Sequence, residues 1–351
     1  VPVSVEEAKT YILAWQDFAI SNGLTATAFA GDDLRFPEAE AYCQLEQEGK
    51  LKLRTYANVI IPDNAENPKA EIANVAAMRA KYSDEYYTII GAKVLLDGVV
   101  EAHTGWMLDD YLDQPGYHGV ERFNDHDKMV ELITAADAEG LSVHAHSVGN
   151  GATHFMLDCI EDAEKITGDL DQRNILAHLQ FVTDEDIKRM AKTGSVPAVA
   201  PLWSGKEPNG YNMEVTYVGK ELADKAYPIK SFFDAGANVV FHSDYPVSPI
   251  MNVKLSIYMA ETRAFPKGWF SDDYDTRRNI EEAVTREQSL RALTINVARQ
   301  WHLEHLIGSI EFGKLANMTV YDCDFLHDDI EKVAQANIIA TIVDGEEVYK
   351  A

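Results

Sequence analysis

The sequence predicts an α/β fold: a (β/α)8 barrel, of which this chain supplies seven of the eight strands, followed by part of a small β-sandwich. Three observations predict it. The 351 residues are 46% hydrophobic, enough for the core of one barrel-sized domain and a small appendage. Short apolar segments alternate with helix-like segments, which is typical of parallel βαβ units. The end of the chain instead carries closely spaced strand-like segments.

Each element is predicted from hydrophobic periodicity and from the residues that end it. Residues 5–21 carry apolar side chains at helical spacing, and Asn22-Gly23 ends that helix. A similar segment at 125–139 ends at Gly140. The short apolar runs between such helices predict buried parallel strands. The seven predicted strands lie at 24–30, 51–61, 87–96, 141–146, 174–179, 195–202 and 238–242.

The two ends of the chain give a separate expectation. A closed barrel of this type has eight strands, so we expect the first strand to precede Val1 and to be missing here. Residues 317–322 and 338–349 are strand-like, with a turn at Asp344-Gly345. Because so few strands are unstable alone, we expect absent N-terminal residues to complete their sheet. The predicted division is a barrel at 1–305 and sandwich strands at 306–351.

The net charge argues against two classes of partner, and the cysteine content indicates the compartment. The formal net charge is −26, from 31 basic and 57 acidic residues, and a field of that sign repels phosphate backbones and anionic lipid. We therefore expect a small-molecule substrate, and neither nucleic acid nor a membrane as partner. The three cysteines form no CxxC pair, which fits a reducing compartment such as the cytoplasm. The oligomeric state is open, with a homodimer as one option.

Four polar residues lie at or near the ends of different predicted strands, where barrel active sites are built. They are Lys93, His146, His178 and Asp244. Imidazoles and a carboxylate converging from separate strands can bind a divalent metal, and a carboxylate beside the metal can act as a general base. Each residue also has an ordinary reading: a hydrogen-bonded strand histidine, a loop-capping aspartate or a snorkelling lysine. Their coincidence favours a site.

The motifs around these residues resemble amidohydrolase family 3, the YtcJ-like amidohydrolases of the amidohydrolase superfamily. The resemblance runs from about residue 19 to residue 351 in the right order, and the ordered set is specific although no single motif decides it. The matching segments are Lys93–Gly98 (KVLLDG), His146–Ala152 (HSVGNGA), Ala177–Gln180 (AHLQ), His242–Val247 (HSDYPV), Thr294–Ala298 (TINVA) and Gly308–Lys314 (GSIEFGK).

The resemblance implies a TIM-like barrel with a one- or two-metal centre, usually zinc, that cleaves an amide or related C–N bond with metal-activated water. By matching motif positions, Lys93 resembles the bridging lysine that is carboxylated by CO₂. His146 and His178 resemble metal ligands, and Asp244 resembles the ligand and general base after the last strand. Two ions are expected only if the family's His-x-His segment is present.

Departures from the family pattern leave other readings open. No His-x-His pair precedes Lys93, so the chain is either a fragment or a degenerate relative with an incomplete metal site. His144 has that spacing with His146 but falls on a later strand, where a role beside the ligands or in packing is expected. His103, His144 and His242 are candidate substrate contacts. A barrel enzyme that uses Lys93 as a Schiff-base nucleophile and a non-catalytic relative are the alternatives.

Overall fold

The computed structural model describes residues 3–32, 37–63, 65–168, 171–248, 252–271 and 273–351. Its main sheet has seven parallel strands in sequential order and curls into part of a barrel, as the sequence predicts. Within the described residues, the first and last of these strands each pair with one neighbour. The strands are β1 (Ala26–Asp32), β2 (Arg54–Ile60), β3 (Tyr87–Leu95), β4 (Ser142–Ser147), β5 (Ile175–His178), β6 (Val196–Val199) and β7 (Val240–Phe241).

Helices connect consecutive strands and cover the outer face of the sheet, so the connections are those of βαβ units. The helices are α1 (Val5–Ser21), α2 (Glu38–Gln47), α3 (Pro68–Tyr82), α4 (His126–Ala138), α5 (Asn150–Thr167), α6 (Asp184–Lys192), α7 (Pro208–Val218), α8 (Lys220–Asp224), α9 (Ile229–Asp234), α10 (Val253–Thr262), α11 (Arg286–Leu293), α12 (Ile295–Gln300) and α13 (Ile330–Gln335). Short 3-10 helices lie at Val100–Ala102, Pro201–Trp203 and Ile280–Glu282.

The first helix shows why the predicted boundaries hold. The Ser4 hydroxyl accepts a hydrogen bond from the Glu7 N–H, and the Glu7 carboxylate accepts one from the Ser4 N–H. This capping box satisfies two N–H groups that the helix itself leaves unpaired. The helix ends where predicted, because Asn22 occupies the C-cap and Gly23 adopts a left-handed φ of 80°.

Strand alternation separates an outer core from the barrel interior. Leu176, Val199 and Phe241 belong to the large core beneath the helices. The alternate residues of the same strands form a second apolar cluster, made of Ile175, Ala177, Val196, Ala198 and Val240. Since successive side chains of a strand point to opposite faces, this second cluster lines the barrel interior.

The last described residues form a three-stranded antiparallel sheet with the spatial order β10-β9-β8. These strands are β8 (Met318–Tyr321), β9 (Ile338–Val343) and β10 (Glu346–Lys350). The predicted turn at Asp344-Gly345 joins the last two strands, and both turn residues have positive φ values, 54° and 82°. Among the helices of the described residues, none combines the length and hydropathy that a bilayer span requires.

A buried arginine connects the barrel to this small sheet. The Arg54 guanidinium, on β2, lies 2.8 Å from Asp344 Oδ1 and 2.8 Å from Glu85 Oε1. The Tyr86 hydroxyl donates to the other oxygen of the Asp344 carboxylate at 2.9 Å. Arg54 is 2% exposed, so its charge is compensated chiefly by the half-buried Asp344.

We expect Arg54→Met to lower the free energy of unfolding by about 1–3 kcal/mol, because Asp344 then loses its cationic partner in a partly buried position. Urea unfolding at neutral pH measures the change. Lys225→Met is the control, since Lys225 pairs with Glu221 on an exposed helix surface and its loss should change stability by about 0.5 kcal/mol or less. Equal effects of the two substitutions would show that the Arg54 contacts do not secure the small sheet.

Candidate active site

Three of the sequence-predicted residues face the barrel interior from neighbouring strands. On β5, Ile175 and Ala177 point inward, and in the parallel register His144 pairs with Ile175 and His146 with Ala177. Lys93 of β3 pairs in turn with His144. Residues paired in register share a face of the sheet, so Lys93, His144 and His146 all point into the barrel.

The His178 side chain points into the same space because its backbone departs from regular strand geometry. Its neighbour Ala177 faces the interior, so regular alternation would direct the His178 side chain toward the helix layer. Instead the backbone turns left-handed at this residue, with φ of 81°. Its imidazole packs against that of His146, with 4.4 Å between the ring centroids.

The loop after β7 supplies two more of the predicted residues. The His242 ring lies 5.1 Å from the His178 ring, centroid to centroid. Asp244 follows with a left-handed φ of 53°, and its charge acts on both Lys93 and His146. The structure therefore places Lys93, His146 and His178 in one interior space, with His144 and His242 beside them. Asp244 lies close enough for its charge to act on Lys93.

Asp97, just beyond β3, is a site residue that the motif analysis missed. Its carboxylate accepts a hydrogen bond from His146 Nδ1 at 2.9 Å. It also accepts the backbone N–H groups of Trp106, Val148 and Gly149 at 2.8–3.2 Å. Because an ionised carboxylate only accepts, we assign the imidazole proton to Nδ1, which leaves the Nε2 lone pair of His146 free. Asp97 is the aspartate of the KVLLDG segment, so the sequence did point to it as a candidate site residue.

Burial keeps three of the interior imidazoles, those of His144, His178 and His242, uncharged. It lowers the pKa of His144 and His178 well below the usual value, and positive charge on the neighbouring Lys93 lowers both further. Burial, followed by the charge of Lys93, lowers the pKa of His242 to about 3. Neutral imidazole is the form that binds a metal ion, since its lone pair is free.

Burial shifts the pKa values of Lys93 and Asp244 in opposite directions. Burial lowers the pKa of Lys93 to about 7, although the negative charges of Asp244 and Asp97 oppose the change. Burial raises the pKa of Asp244 above its usual value, and the positive charge of Lys93 opposes that change. A substantial fraction of Lys93 is therefore a free amine at neutral pH, and Asp244 is a stronger base than an exposed carboxylate.

Trp203 covers the histidines on one side. Its indole ring is stacked on His178, with 5.6 Å between centroids and 22° between planes, and it meets His242 edge-on. The indole N–H donates to Ser248 Oγ at 3.0 Å, which fixes the orientation of the ring. The indole thus shields these two imidazoles from water.

His103 lies apart from these contacts. Its Nε2 is 2.9 Å from Asp113, and its ring packs on Tyr217 with 3.9 Å between centroids. Among the ring contacts and hydrogen bonds of the described residues, none connects His103 to the interior histidines. A substrate contact by His103 stays a prediction.

The interior residues fit a metal ion in part. His178 Nδ1 and His242 Nε2 are buried and find no hydrogen-bond partner within the described ranges, as expected of nitrogens that await a ligand. However, no group of three or more His, Cys, Asp or Glu side chains in the described part of the chain is placed to hold a metal. Two imidazoles, from His146 and His178, therefore need a further protein ligand, which Lys93 can supply only as its carboxylated form.

The sequence as a whole settles the family. A model described as "Amidohydrolase family" matches residues 2–349. The chain belongs to that family. The resemblance noted from its motifs is thus confirmed.

Two relatives show what share of a longer protein the chain matches. It is 26% identical to Protein LONG AFTER FAR-RED 3 of Arabidopsis thaliana, over 99% of this chain and 58% of that protein. It is 27% identical to the N-substituted formamide deformylase of Arthrobacter pascens, over 74% of this chain and 46% of that protein. The chain therefore spans about half the length of these relatives.

A solved structure shares the fold of this amidohydrolase chain. The crystal structure of an uncharacterized metal-dependent hydrolase from Pyrococcus horikoshii OT3 superposes with a TM-score of 0.77. The match covers 94% of this chain and 62% of that one, with 22% sequence identity. At that identity the likeness shows the barrel architecture.

The depressed pKa of Lys93 predicts a pH-dependent stability. We expect Lys93→Met to stabilise the metal-free protein most below pH 7 and progressively less as the pH rises toward 10.5. The pKa is about 7 in the folded chain and returns to 10.5 on unfolding. Between these values the unfolded state binds more protons, so wild-type stability rises with pH and the variant's advantage shrinks by about 1 kcal/mol per pH unit.

Urea unfolding from about pH 6.5 to about pH 9.5, without metal or bicarbonate, measures this difference. Lys52→Met is the control, because Lys52 is exposed and should show no such trend. A Lys93→Met difference that stays constant over this pH range would contradict the buried, partly neutral state of the amine.

Proposed function

We propose that this chain forms most of the catalytic barrel of a metal-dependent amidohydrolase that cleaves the C–N bond of a small amide, N-acyl or N-formyl compound. The observation that carries the proposal is the pair of imidazoles of His146 and His178, whose ring centroids lie 4.4 Å apart beside a buried lysine. Residues 1–305 would form the hydrolase barrel, and residues 306–351 the strands of the small sandwich.

In this proposal, His146, His178 and carboxylated Lys93 hold one divalent ion, zinc or a similar metal. When bound, that metal would polarise the substrate carbonyl and activate water. The Asp97 carboxylate holds the proton on His146 Nδ1 and so directs Nε2 toward the ion. A second ion would require ligands beyond these residues.

Carboxylation of Lys93 is chemically accessible because the amine is partly uncharged at neutral pH. The Nζ lone pair forms a bond to the carbon of CO₂, and the amine loses a proton to water. The product carries a negative charge, which converts a poor ligand into an anionic oxygen donor. Its charge would also balance that of a bound cation in the barrel interior.

Asp244 is the proposed proton carrier. Its carboxylate is half-buried beside Lys93 and His146, and the raised pKa makes it a better base than an exposed aspartate. It would accept a proton from the attacking water and pass it to the leaving nitrogen. The C–N bond then breaks with the nitrogen leaving as a neutral amine, and the carbonyl carbon keeps the oxygen of the water.

The similarity to the formamide deformylase supports N-substituted formamides as the first substrates to test. A formamide presents a small carbonyl group and places its variable substituent on nitrogen. We propose His242 and His144 as groups near that substrate, because both lie beside His178 and Lys93 in the interior.

Lys93 favours a second candidate function. A buried amine with a pKa near 7 is also the nucleophile of a Schiff-base enzyme, in which it condenses with a carbonyl substrate and releases water. Borohydride would then trap the substrate on Lys93 and add its mass to the peptide that contains this residue. A Lys93→Ala variant should prevent that labelling.

We expect purified protein supplied with zinc and bicarbonate to retain about one equivalent of metal, and His178→Ala to retain much less, because one imidazole ligand is lost. Elemental analysis after gel filtration measures both. The control is His126→Ala, since His126 is a partly exposed residue on α4 that pairs with Asp162. Folded wild-type protein that retains no metal would overturn the proposal and favour the non-catalytic reading.

We expect Asp97→Asn to weaken zinc binding by about 10–100-fold, because the amide cannot hold the His146 proton as the carboxylate does. Competition with a chromophoric chelator gives the dissociation constants. Asp113→Asn alters a different Asp–His pair, that of His103, and should leave zinc binding unchanged. Equal affinities of wild type and Asp97→Asn would show that His146 is not oriented through Asp97 for a metal.

A further inference from the structure

The inward orientation of His178 depends on an unusual stretch of backbone. Both His178 and Leu179 adopt left-handed conformations, with φ of 81° and 52°. Residues with a β-carbon occupy this region at an energetic cost, and two in succession persist only where the surroundings hold them. The contacts of the residues that follow His178 are therefore relevant to the geometry of the candidate site.

Backbone hydrogen bonds hold one side of this stretch. The Leu179 N–H donates to the Ser147 carbonyl at 2.9 Å, and the Phe181 N–H donates to the Val148 carbonyl at 3.1 Å. On the other side, the Tyr227 N–H donates to the Gln180 carbonyl at 2.8 Å. Gln180 is thus the residue at which the strand end is joined to a more distant segment.

The Gln180 side chain makes a second connection. Its Nε2 donates to Glu214 Oε1 at 2.9 Å. Gln180 is 3% exposed and Glu214, on α7, is 4% exposed. A hydrogen bond between two groups removed from water is costly to break, because neither group regains a solvent partner.

Arg278 fixes the Glu214 carboxylate from the opposite side. Its two terminal nitrogens lie 2.6 Å from Oε2 and 3.2 Å from Oε1 of Glu214. They also donate to the carbonyl groups of Ala223, at 2.8 Å, and Gly205, at 3.3 Å. This bidentate pair therefore joins the segments on both sides of α7, and through Gln180 it reaches the end of β5.

We infer that Gln180, Glu214 and Arg278 form a positioning relay that holds the His178 imidazole toward His146. The inference rests on the proposed function, in which His178 binds the metal. The three residues are not among the proposed metal or substrate contacts, and they act by keeping the backbone of His178 and Leu179 left-handed. The segment that carries Trp203 leads into α7, so the same relay also fixes the position of the indole that shields His178 and His242.

Hydrogen exchange of the metal-free protein tests the relay directly. Gln180→Met keeps the volume of the side chain but removes its hydrogen bond to Glu214. We expect the Leu179 and Phe181 amides to exchange about fivefold faster in this variant. Gln172→Met is the matched control, because the Gln172 amide donates to backbone carbonyls of Ile133 and Leu141 at the opposite end of the strands. Unchanged exchange in Gln180→Met overturns the relay.

Metal affinity tests the consequence at the site. We expect Gln180→Met to bind zinc about tenfold more weakly than wild type, while its melting temperature stays close to that of Gln172→Met. Wild-type affinity in Gln180→Met would overturn the role of the relay in positioning His178. Wild-type protein that binds no zinc would overturn the proposed function instead, and faster exchange in Gln180→Met would still support the relay's hold on the backbone.

Discussion

A parallel strand sends successive side chains to opposite faces, and the candidate site depends on where this alternation holds and where it ends. In β3 and β4 it holds, so Lys93, His144 and His146 share the interior face. At the end of β5 it breaks, because the backbone of His178 turns left-handed and brings a second imidazole to the first. The pairing of His146 with His178 thus arises from regular structure in one strand and its interruption in the next.

Removal from water then decides the chemical state of every group in that space. A buried interior disfavours charge, so the imidazoles of His144 and His178 stay neutral and Lys93 loses much of its positive charge near neutral pH. The Asp97 carboxylate is instead surrounded by donors, since it accepts hydrogen bonds from three backbone N–H groups and from the His146 imidazole. The interior therefore contains nitrogen lone pairs but little positive charge. A cation bound by these lone pairs and a carboxylated, anionic Lys93 would balance each other's charge.

Much of this architecture could be predicted from the sequence, because the signals are local. The seven parallel strands are apolar runs separated by helices, although β1, at the edge of the sheet, is only partly buried, against the prediction of a buried strand. The turn at Asp344-Gly345 is set by two adjacent residues. The orientation of His178 could not be predicted, since nothing in the segment ILAHLQ marks a left-handed residue. The contact of Asp97 with His146 and that of Gln180 with Glu214 were also beyond sequence reasoning, because these partners lie 49 and 34 residues away and meet only in the folded chain.

Anomalous X-ray diffraction at the zinc absorption edge, from crystals of this chain grown with zinc and bicarbonate, tests the proposed metal site most directly. We predict an ion bonded to Nε2 of His146 and to the imidazole of His178, with density for a carboxylate on Lys93 Nζ reaching the same ion. A well-ordered barrel whose zinc binds elsewhere, or whose Lys93 is an unmodified amine with no ion nearby, would contradict it.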